Sequence, residues 1–417
     1  MLYHRLLTSL STTMSNEGND SWIIFFGSEK TLNPMNSDPP KRQLVRKSNN
    51  HLLATLRDVA DLAGVSTKTV SRVVNHQNEI SEATRQRVQA AIDQLDYRPN
   101  ILARSLIHQR SKTLGVIAWG IDYYGPSRTV VGIEQEANEL GYSVFLSLVS
   151  HPTDAHEQIL DTLISRRVEG IIWAIPEVGD NRSWIQTSRF GQLPPVIFLT
   201  MESRPGISVV SIDNRNGAKQ AVQHLLQQGK RKIGIITGPM TWWEARERYA
   251  GWQEALGEAD LESSPSLVAK SDDWSAVNGE RGMRTLLAQV PDIDAVFASN
   301  DQIALGALGT AHQLGRRVPQ ELAIVGFDNI PEAAFFWPPL TTINQQLIDV
   351  GCIAVKNLHE MIVSRRSQTE PQPPLSTILK PELIVRASSL FTALHPDSIQ
   401  NKGGDEDTIL ENVLLRP

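Results

Sequence analysis

The chain has 417 residues, 41% of them hydrophobic, which is ample for two or three buried cores. No apolar run approaches bilayer-spanning length, and a single cysteine, Cys352, excludes an internal disulfide framework, as expected in a reducing cytoplasm. The net charge of −6 excludes indiscriminate nucleic-acid binding by the whole surface, yet residues 57–112 carry nine Lys/Arg against six acids, so that segment is +3 and the remainder −9.

Residues 1–53 lack sustained periodicity and are rich in Ser, Asn, Thr and Pro, with a basic cluster at Lys41, Arg42, Arg46 and Lys47; a disordered extension is expected. The opening MLYHRLLTSLSTTMS has only a broken apolar stretch and no convincing cleavage site, so no signal peptide is expected.

Residues 54–98 read as a three-helix, helix-turn-helix domain. Thr55 with Asp58 three positions on forms an N-cap and its acidic partner for a helix with Leu56, Val59, Ala60 and Ala63 on one side. Gly64 then supplies a left-handed turn, and Ser66 caps a second helix whose Val70, Val73 and Val74 face inward. Its other positions, Thr67, Lys68, Thr69, Ser71 and Arg72, are donors or small groups. Near a helix N-terminus such groups reach phosphates and base edges, and Arg offers guanine a two-pronged fork. Thr55, Arg57, Ser66, Thr67, Lys68, Thr69, Arg72 and Asn75 are therefore the candidate DNA contacts here. Ser81 is expected to cap a third helix, which packs through Val88, Ile92 and Leu95.

Residues 99–112 read as a hinge and linker. Tyr97-Arg98-Pro99-Asn100 interrupts the helical pattern, and Asn100 can cap the short segment ILARSLI, which is marginal as a helix on its own.

From Thr113 the pattern becomes short apolar strands alternating with amphipathic helices. TLGVIA, YSVFLSLV, GIIWAI, PVIFL and VVSI read as one series of strands, and KIGIIT, AVFAS and LAIVGF as a second. Such alternation implies parallel sheets covered on both faces, hence an α/β fold of two doubly wound lobes across residues 113–390. Ligands of such sheets bind outside the strand C-termini, and two facing lobes turn that place into a cleft. Aromatic residues crowd the positions after strand ends: Trp119, Tyr123, Tyr124, Trp242, Trp243, Trp274 and Trp337. Flat rings there suit a pyranose face.

The chain lacks a GxxxxGK[ST] phosphate loop, HExxH, CxxC and GxSxG, so no catalytic residues, metal or cofactor are expected. The tail, residues 391–417, has one apolar patch at Ile409, Leu410, Val413 and Leu414, too short for heptads, and is expected to be flexible.

The words DVADLAGVSTKTVSRVVN and YRPNILARSL, followed by DWSA, ASNDQIALGAL, IVGFDN and WPPLTTI, resemble the lactose-repressor (LacI/GalR) family of transcription regulators in order and over roughly residues 56–390. The resemblance implies a ligand-responsive DNA-binding regulator, most often a repressor, with an effector domain like the periplasmic sugar-binding proteins. It makes ILARSLI the hinge helix and Leu106 the side chain inserted between minor-groove base steps, a wedge that kinks the duplex. It joins the lobes by three crossings, expected near Ile212, near Thr342 and within PQPPLS. It assigns Trp274 to stacking, Arg248 to gripping ligand hydroxyls and Asn300 with Asp328 to closing on them; Trp119, Tyr124 and Trp242 complete the expected effector site. Ala174 and Thr200 depart from the lactose-responsive pattern, and Trp242 and Trp243 fill an otherwise small-residue loop, so a sugar is expected but not that pattern's sugar. The expected partners are a palindromic double-stranded operator, a small effector and a second copy of the chain, in the cytoplasm at the nucleoid. The alternatives are a purine- or other corepressor-responsive regulator of the same family, and, less compatible with a DNA-binding head, a sugar-transport protein.

Overall fold

The structure, a computed structural model, describes residues 54–75, 80–98, 110–152, 156–367 and 373–390. The expected extension 1–53, Asn100, Leu106 with its hinge helix, and the tail from 391 lie outside the described residues. The chain divides into two compact units between Arg98 and Pro99.

The first unit is three helices, α1 (Leu56–Ala63), α2 (Thr67–Val74) and α3 (Glu82–Gln94). Thr55 and Asp58 form a reciprocal capping box: the Thr55 hydroxyl accepts from the Asp58 amide at 3.3 Å, while the Asp58 carboxylate accepts from the Thr55 amide at 2.7 Å. Gly64 ends α1 at φ 64°, where a side chain would be strained. Ser66 caps α2 by accepting from the Thr69 amide at 3.1 Å. Ser81 differs: its hydroxyl pairs with Thr84 Oγ1 at 2.9 Å, and only its carbonyl enters the helix. Val59, Ala60, Ala63, Val70, Val73 and Val88, expected from their spacing, bury together with Ala91, while Leu56, Val74, Ile92 and Leu95 pack against them half-buried.

The second unit holds two six-stranded sheets. In the first, β1 (Thr113–Ala118), β2 (Ser143–Leu148), β3 (Gly170–Ala174), β4 (Val196–Leu199), β5 (Ser208–Ile212) and β11 (Ser376–Leu379) run in the order β11-β5-β4-β3-β1-β2, all parallel. In the second, β6 (Ile233–Ile236), β7 (Val268–Ala269), β8 (Ala295–Ala298), β9 (Ala323–Asp328), β10 (Thr341–Asn344) and β12 (Glu382–Ile384) run in the order β12-β10-β9-β8-β6-β7, antiparallel only between β10 and β12. Helices α4 (Tyr124–Glu139), α5 (His156–Ser165) and α10 (Leu347–Arg366) cover the first sheet. Helices α6 (Asn214–Gln227), α7 (Trp243–Glu258), α8 (Ala276–Gln289) and α9 (Asp301–Gln313) cover the second.

The two-residue strand period explains why both faces are apolar. Leu114, Val116 and Ala118 of β1 meet α4 and α10, while the intervening Ile117 joins Leu160 and Leu163 of α5 on the other face. In each sheet the order reverses beside the first strand, β1 between β2 and β3 and β6 between β7 and β8, which opens a crevice at the strand C-termini.

Three connections cross between lobes. The first follows β5 into α6 at Asp213, whose side chain accepts from the Asn216 amide at 2.9 Å. The second leaves β10 for α10 through Gln345 and Gln346, just beyond Thr342. The third corrects the expectation from composition. The Pro-rich PQPPLS stands in the sequence between α10 and β11, both of the first lobe, and the crossing itself is Lys380 and Pro381 between β11 and β12.

Helices α4 and α10 approach closely enough that a Cβ on Gly132 would lie 2.1 Å from the Ile348 carbonyl oxygen, and one on Gly351 2.3 Å from that of Thr129. Backbone atoms cannot yield as a flexible side chain can, so Gly132→Ala must push the helices apart. It should destabilise the body by about 1–3 kcal/mol, read as a lower urea midpoint; an unchanged midpoint would show that the helix pair tolerates the extra methyl.

Candidate functional site

In the helical unit the candidate DNA contacts Thr55, Arg57, Ser66, Thr67, Lys68 and Asn75 are exposed, whereas Thr69 and Arg72 are half-buried. Ser66 and Thr69 are occupied with capping, and the Asn75 amide donates to Ser71 Oγ at 3.4 Å. The second helix carries a basic residue, Arg72, in its last turn and no acid in its first. Its open N-terminal amides and Lys68 therefore offer positive charge to a polyanion.

The second unit contains a cleft of about 870 Å3, counted out to its open mouth, lined from both lobes. The first lobe supplies Tyr123, Tyr124, Thr129, Ala174, Thr200 and Ser211; the second supplies Trp242, Glu244, Arg248, Trp274, Asn300 and Asp328. Six of the seven expected effector residues thus share one cavity: Tyr124, Trp242, Arg248, Trp274, Asn300 and Asp328. Trp119 does not line it. Its indole donates to the Ser150 carbonyl at 3.0 Å, and its ring lies 5.3 Å from that of Trp242, which it supports from behind. Trp337 is 79% exposed, away from the cleft, and Trp243 does not reach the wall either.

Arg248 is the centre of the site. It is 5% exposed; its Nε donates to Asn214 Oδ1 at 2.8 Å, Nη1 to the Ser299 carbonyl at 2.5 Å and Nη2 to Gln345 Oε1 at 3.3 Å. Asp328 Oδ1 lies 3.7 Å from Nη1, and the guanidinium stacks 3.8 Å above Phe327. Three of the five N–H groups are thereby committed to the protein, so Arg248 holds the strand ends and crossings in place as much as it can meet a ligand. Burial pulls its pKa down, and Asp328 opposes that most.

The carboxylates respond in the opposite direction. Burial pushes Asp328 up, against the pull of Arg248 and the hydrogen bond donated by Gln345. Asp301, beneath it, is pushed up by burial and by the charge of Asp328; it accepts from the Thr342 hydroxyl at 2.6 Å and the Ile330 amide at 2.9 Å. Asn300 caps α9 by accepting from the Ile303 amide at 2.8 Å, and its Nδ2 donates to the Trp274 carbonyl at 3.1 Å. A cap and a cleft wall are therefore the same residue. Thr200, Asp328, Asn329 and Gln346 all have positive φ, with Asp328 at 120°, so strained backbone gathers at these strand ends.

Reading the residues in isolation missed Asn214, Gln345, Gln302 and Glu244. The first two are crossing residues, and nothing in their local patterns distinguishes them from helix-cap and loop polars. Glu244 stands in the first turn of α7, where an acid is ordinarily a dipole complement.

The lobes also touch at the cleft mouth. After β3, Glu177–Gly179 run antiparallel to Thr241–Trp243: Val178 bridges Trp242, the Trp243 amide donates to the Glu177 carbonyl at 3.0 Å, and the Gly179 amide donates to that of Thr241 at 3.2 Å. The first-lobe side is braced. Glu177 accepts from the Glu202 amide at 3.0 Å and pairs with Arg204, while Asn181 Nδ2 donates to the carbonyls of Pro152 and Pro176 at 2.9 and 3.0 Å. Trp242 projects from this bridge with Trp119 on one side and Trp274, 5.5 Å away and edge-on, on the other.

Comparison with known proteins agrees with this architecture. A family model described as "Bacterial regulatory proteins, lacI family" matches residues 55–100, and one described as "Periplasmic binding protein-like domain" matches residues 222–389. The HTH-type transcriptional repressor PurR of Haemophilus influenzae is 34% identical over 338 residues, 81% of this chain and 98% of the relative. The chain belongs to the LacI family. The lactose operon repressor of Escherichia coli is 31% identical over 325 residues, covering 78% of this chain and 89% of its own. Among solved LacI-family structures, the Lac repressor dimer bound to operator and the anti-inducer ONPF superposes with a TM-score of 0.72 at 30% identity, covering 81% of this chain and all of that one. A complex of the regulator CelR with cellobiose gives 0.60 at 31% identity, covering 80% and 99%. Among the described residues, no helix is long and apolar enough to cross a membrane.

The mouth bridge can be tested by one backbone atom. Trp243 is the first residue of α7, and Trp242 before it has φ −83° and ψ 137°, so proline is tolerated there. Trp243→Pro removes the amide that reaches Glu177; Trp243→Ala removes only the side chain. Hydrogen exchange at the Gly179 amide should be faster in the proline variant than in the alanine variant, by the few-fold expected from about 0.5–1.5 kcal/mol. Identical exchange would show that the bridge adds nothing to lobe closure.

Proposed function

We propose that the protein is a sequence-specific repressor that binds a palindromic operator as a homodimer and is regulated by a small uncharged ligand, a sugar, held between its lobes. The observation that carries this reading is the coexistence in one chain of a capped helix-turn-helix with a two-lobed cleft combining an indole face at Trp274 with a polar rim at Asn300, Asp328 and Arg248. Only a ligand with an apolar ring face and a hydroxylated edge uses both. Relatives support it: the Lac repressor dimer binds operator in one solved structure, and the regulator CelR binds cellobiose in another. Ligand that favours one lobe arrangement shifts operator affinity by its differential binding, and operator shifts ligand affinity equally in return. The protein performs no chemistry of its own and works in the cytoplasm, at the nucleoid. Lys68, Thr67 and Arg72 read base edges or phosphates, the flanking Thr55, Arg57, Ser66, Thr69, Asn75 and Asn100 position the head, and Leu106 enters the minor groove.

A second reading, a purine-type corepressor in the same cleft, is favoured by the PurR relatives at 34% identity. Selection of binding sites from random DNA tests the common part. A palindrome should be enriched, and absence of any enrichment sinks the operator reading. On the selected site, Arg72→Ala should cost about 1–3 kcal/mol and relax preference at one base pair per half-site; equal losses on random DNA would make it a phosphate contact. Fluorescence anisotropy with labelled operator then separates the effectors: release by an uncharged sugar supports the first reading, and tightening by a purine the second.

A further inference from the structure

Glu244 is 8% exposed, lines the cleft, and its Oε2 has no hydrogen-bond partner. Trp274 is 7% exposed, lines the same cleft, and its indole Nε1 is likewise without one. A buried acceptor and a buried donor left open in one cavity are costly unless something enters to satisfy them. Among the described lining residues Arg248 is the one cation, and its guanidinium is already bonded to Asn214, Ser299 and Gln345 and faces Asp328. The wall therefore sets two carboxyl groups, Glu244 and Asp328, against one committed guanidinium.

Resting on the reading of this cleft as the effector site, we propose that Glu244 is a specificity-determining residue that takes a hydroxyl of an uncharged polyhydroxylated ligand and excludes phosphorylated or carboxylated ones. A hydroxyl group donates and accepts at once, so one ligand edge can satisfy both Glu244 and Trp274. A phosphate or carboxylate cannot donate to Glu244 when ionised, and would enter a cavity in which the one cation among the described lining residues already has three of its five N–H groups bonded to the protein. Burial pushes Glu244 up to about 7, with its own backbone amide, Arg248 and Arg182 opposing, in keeping with a carboxyl kept out of water and short of partners.

Calorimetry on the full chain tests this with D-glucose, D-galactose and cellobiose, with glucose 6-phosphate and galactose 6-phosphate, and with hypoxanthine and guanine. At least one uncharged sugar should bind, and neither sugar phosphate. Glu244→Gln preserves the shape but replaces an acceptor by a donor; it should weaken the bound sugar about ten- to hundredfold. Its unfolding temperature should be equal to or above the parent's, since a buried carboxyl oxygen without a hydrogen-bond partner is removed. A sugar phosphate binding more tightly than its parent sugar, or sugar affinity unaltered by Glu244→Gln, overturns the role of Glu244 while leaving the effector reading intact. Binding of a purine alone replaces the sugar and overturns the proposal with it. Failure of the whole panel to bind removes both.

Discussion

One buried guanidinium ties the ligand cleft to the frame around it. Arg248 reaches Asn214 at the first crossing, Gln345 at the second, the carbonyl that ends β8 and the carboxylate that ends β9. Its charge is held out of water by Phe327 below and is compensated chiefly by Asp328. Breaking a buried pair by removing one member costs several kcal/mol, because the other is left charged and dry. The geometry of the cavity and the angle between lobes are thus set by the same few hydrogen bonds, and a ligand that disturbs one disturbs the other.

The opposite wall is held differently. At the mouth, the link is backbone to backbone, between two loops from different lobes, with Trp242 packed among rings from both sides. Hydrogen bonds of this kind contribute about a kcal/mol each in net terms and can open. A committed hinge and a breakable rim are what lobes need if closure is to depend on occupancy.

The helical head was legible from its sequence almost residue by residue, because caps and left-handed turns are local events: Thr55, Asp58, Gly64 and Ser66 do in the structure what their types dictate. The parallel strands were legible too, as continuous apolar runs. Three things were not. The polar residues of β10 (TTIN), β11 (STIL) and β12 (ELI) break the apolar run by which the equally short β4, β6 and β8 were recognised, and β7 has only two residues. The third crossing was misread because proline-rich composition signals a loop without saying which elements the loop joins, and here both lie in the first lobe. Glu244, Asn214 and Gln345 were missed because what sets them apart is a tertiary neighbour, Arg248 or the cleft between the lobes, rather than anything within reach along the chain. Trp119 and Trp337 show the converse error: both follow strands, yet one is a second layer behind Trp242 and the other faces solvent. Position along a strand predicts which end of a sheet a side chain occupies, not whether it reaches the cavity.

The path of the chain has a consequence for its making. The first sheet begins at Thr113, but its strand β11 is drawn from residues 376–379, after the second lobe's sheet has received all of its strands but β12. Likewise α10, which packs against α4, begins only at Leu347. On the ribosome the first lobe therefore emerges early and stays unfinished, its β5 edge unpaired and one face covered by α4 without α10, while most of the second lobe is synthesised. The lobe made first thus stays incomplete until nearly the end of the chain, so a nascent chain halted between residues 212 and 376 exposes an open parallel edge at β5, the kind of surface that chaperones bind and that aggregation uses.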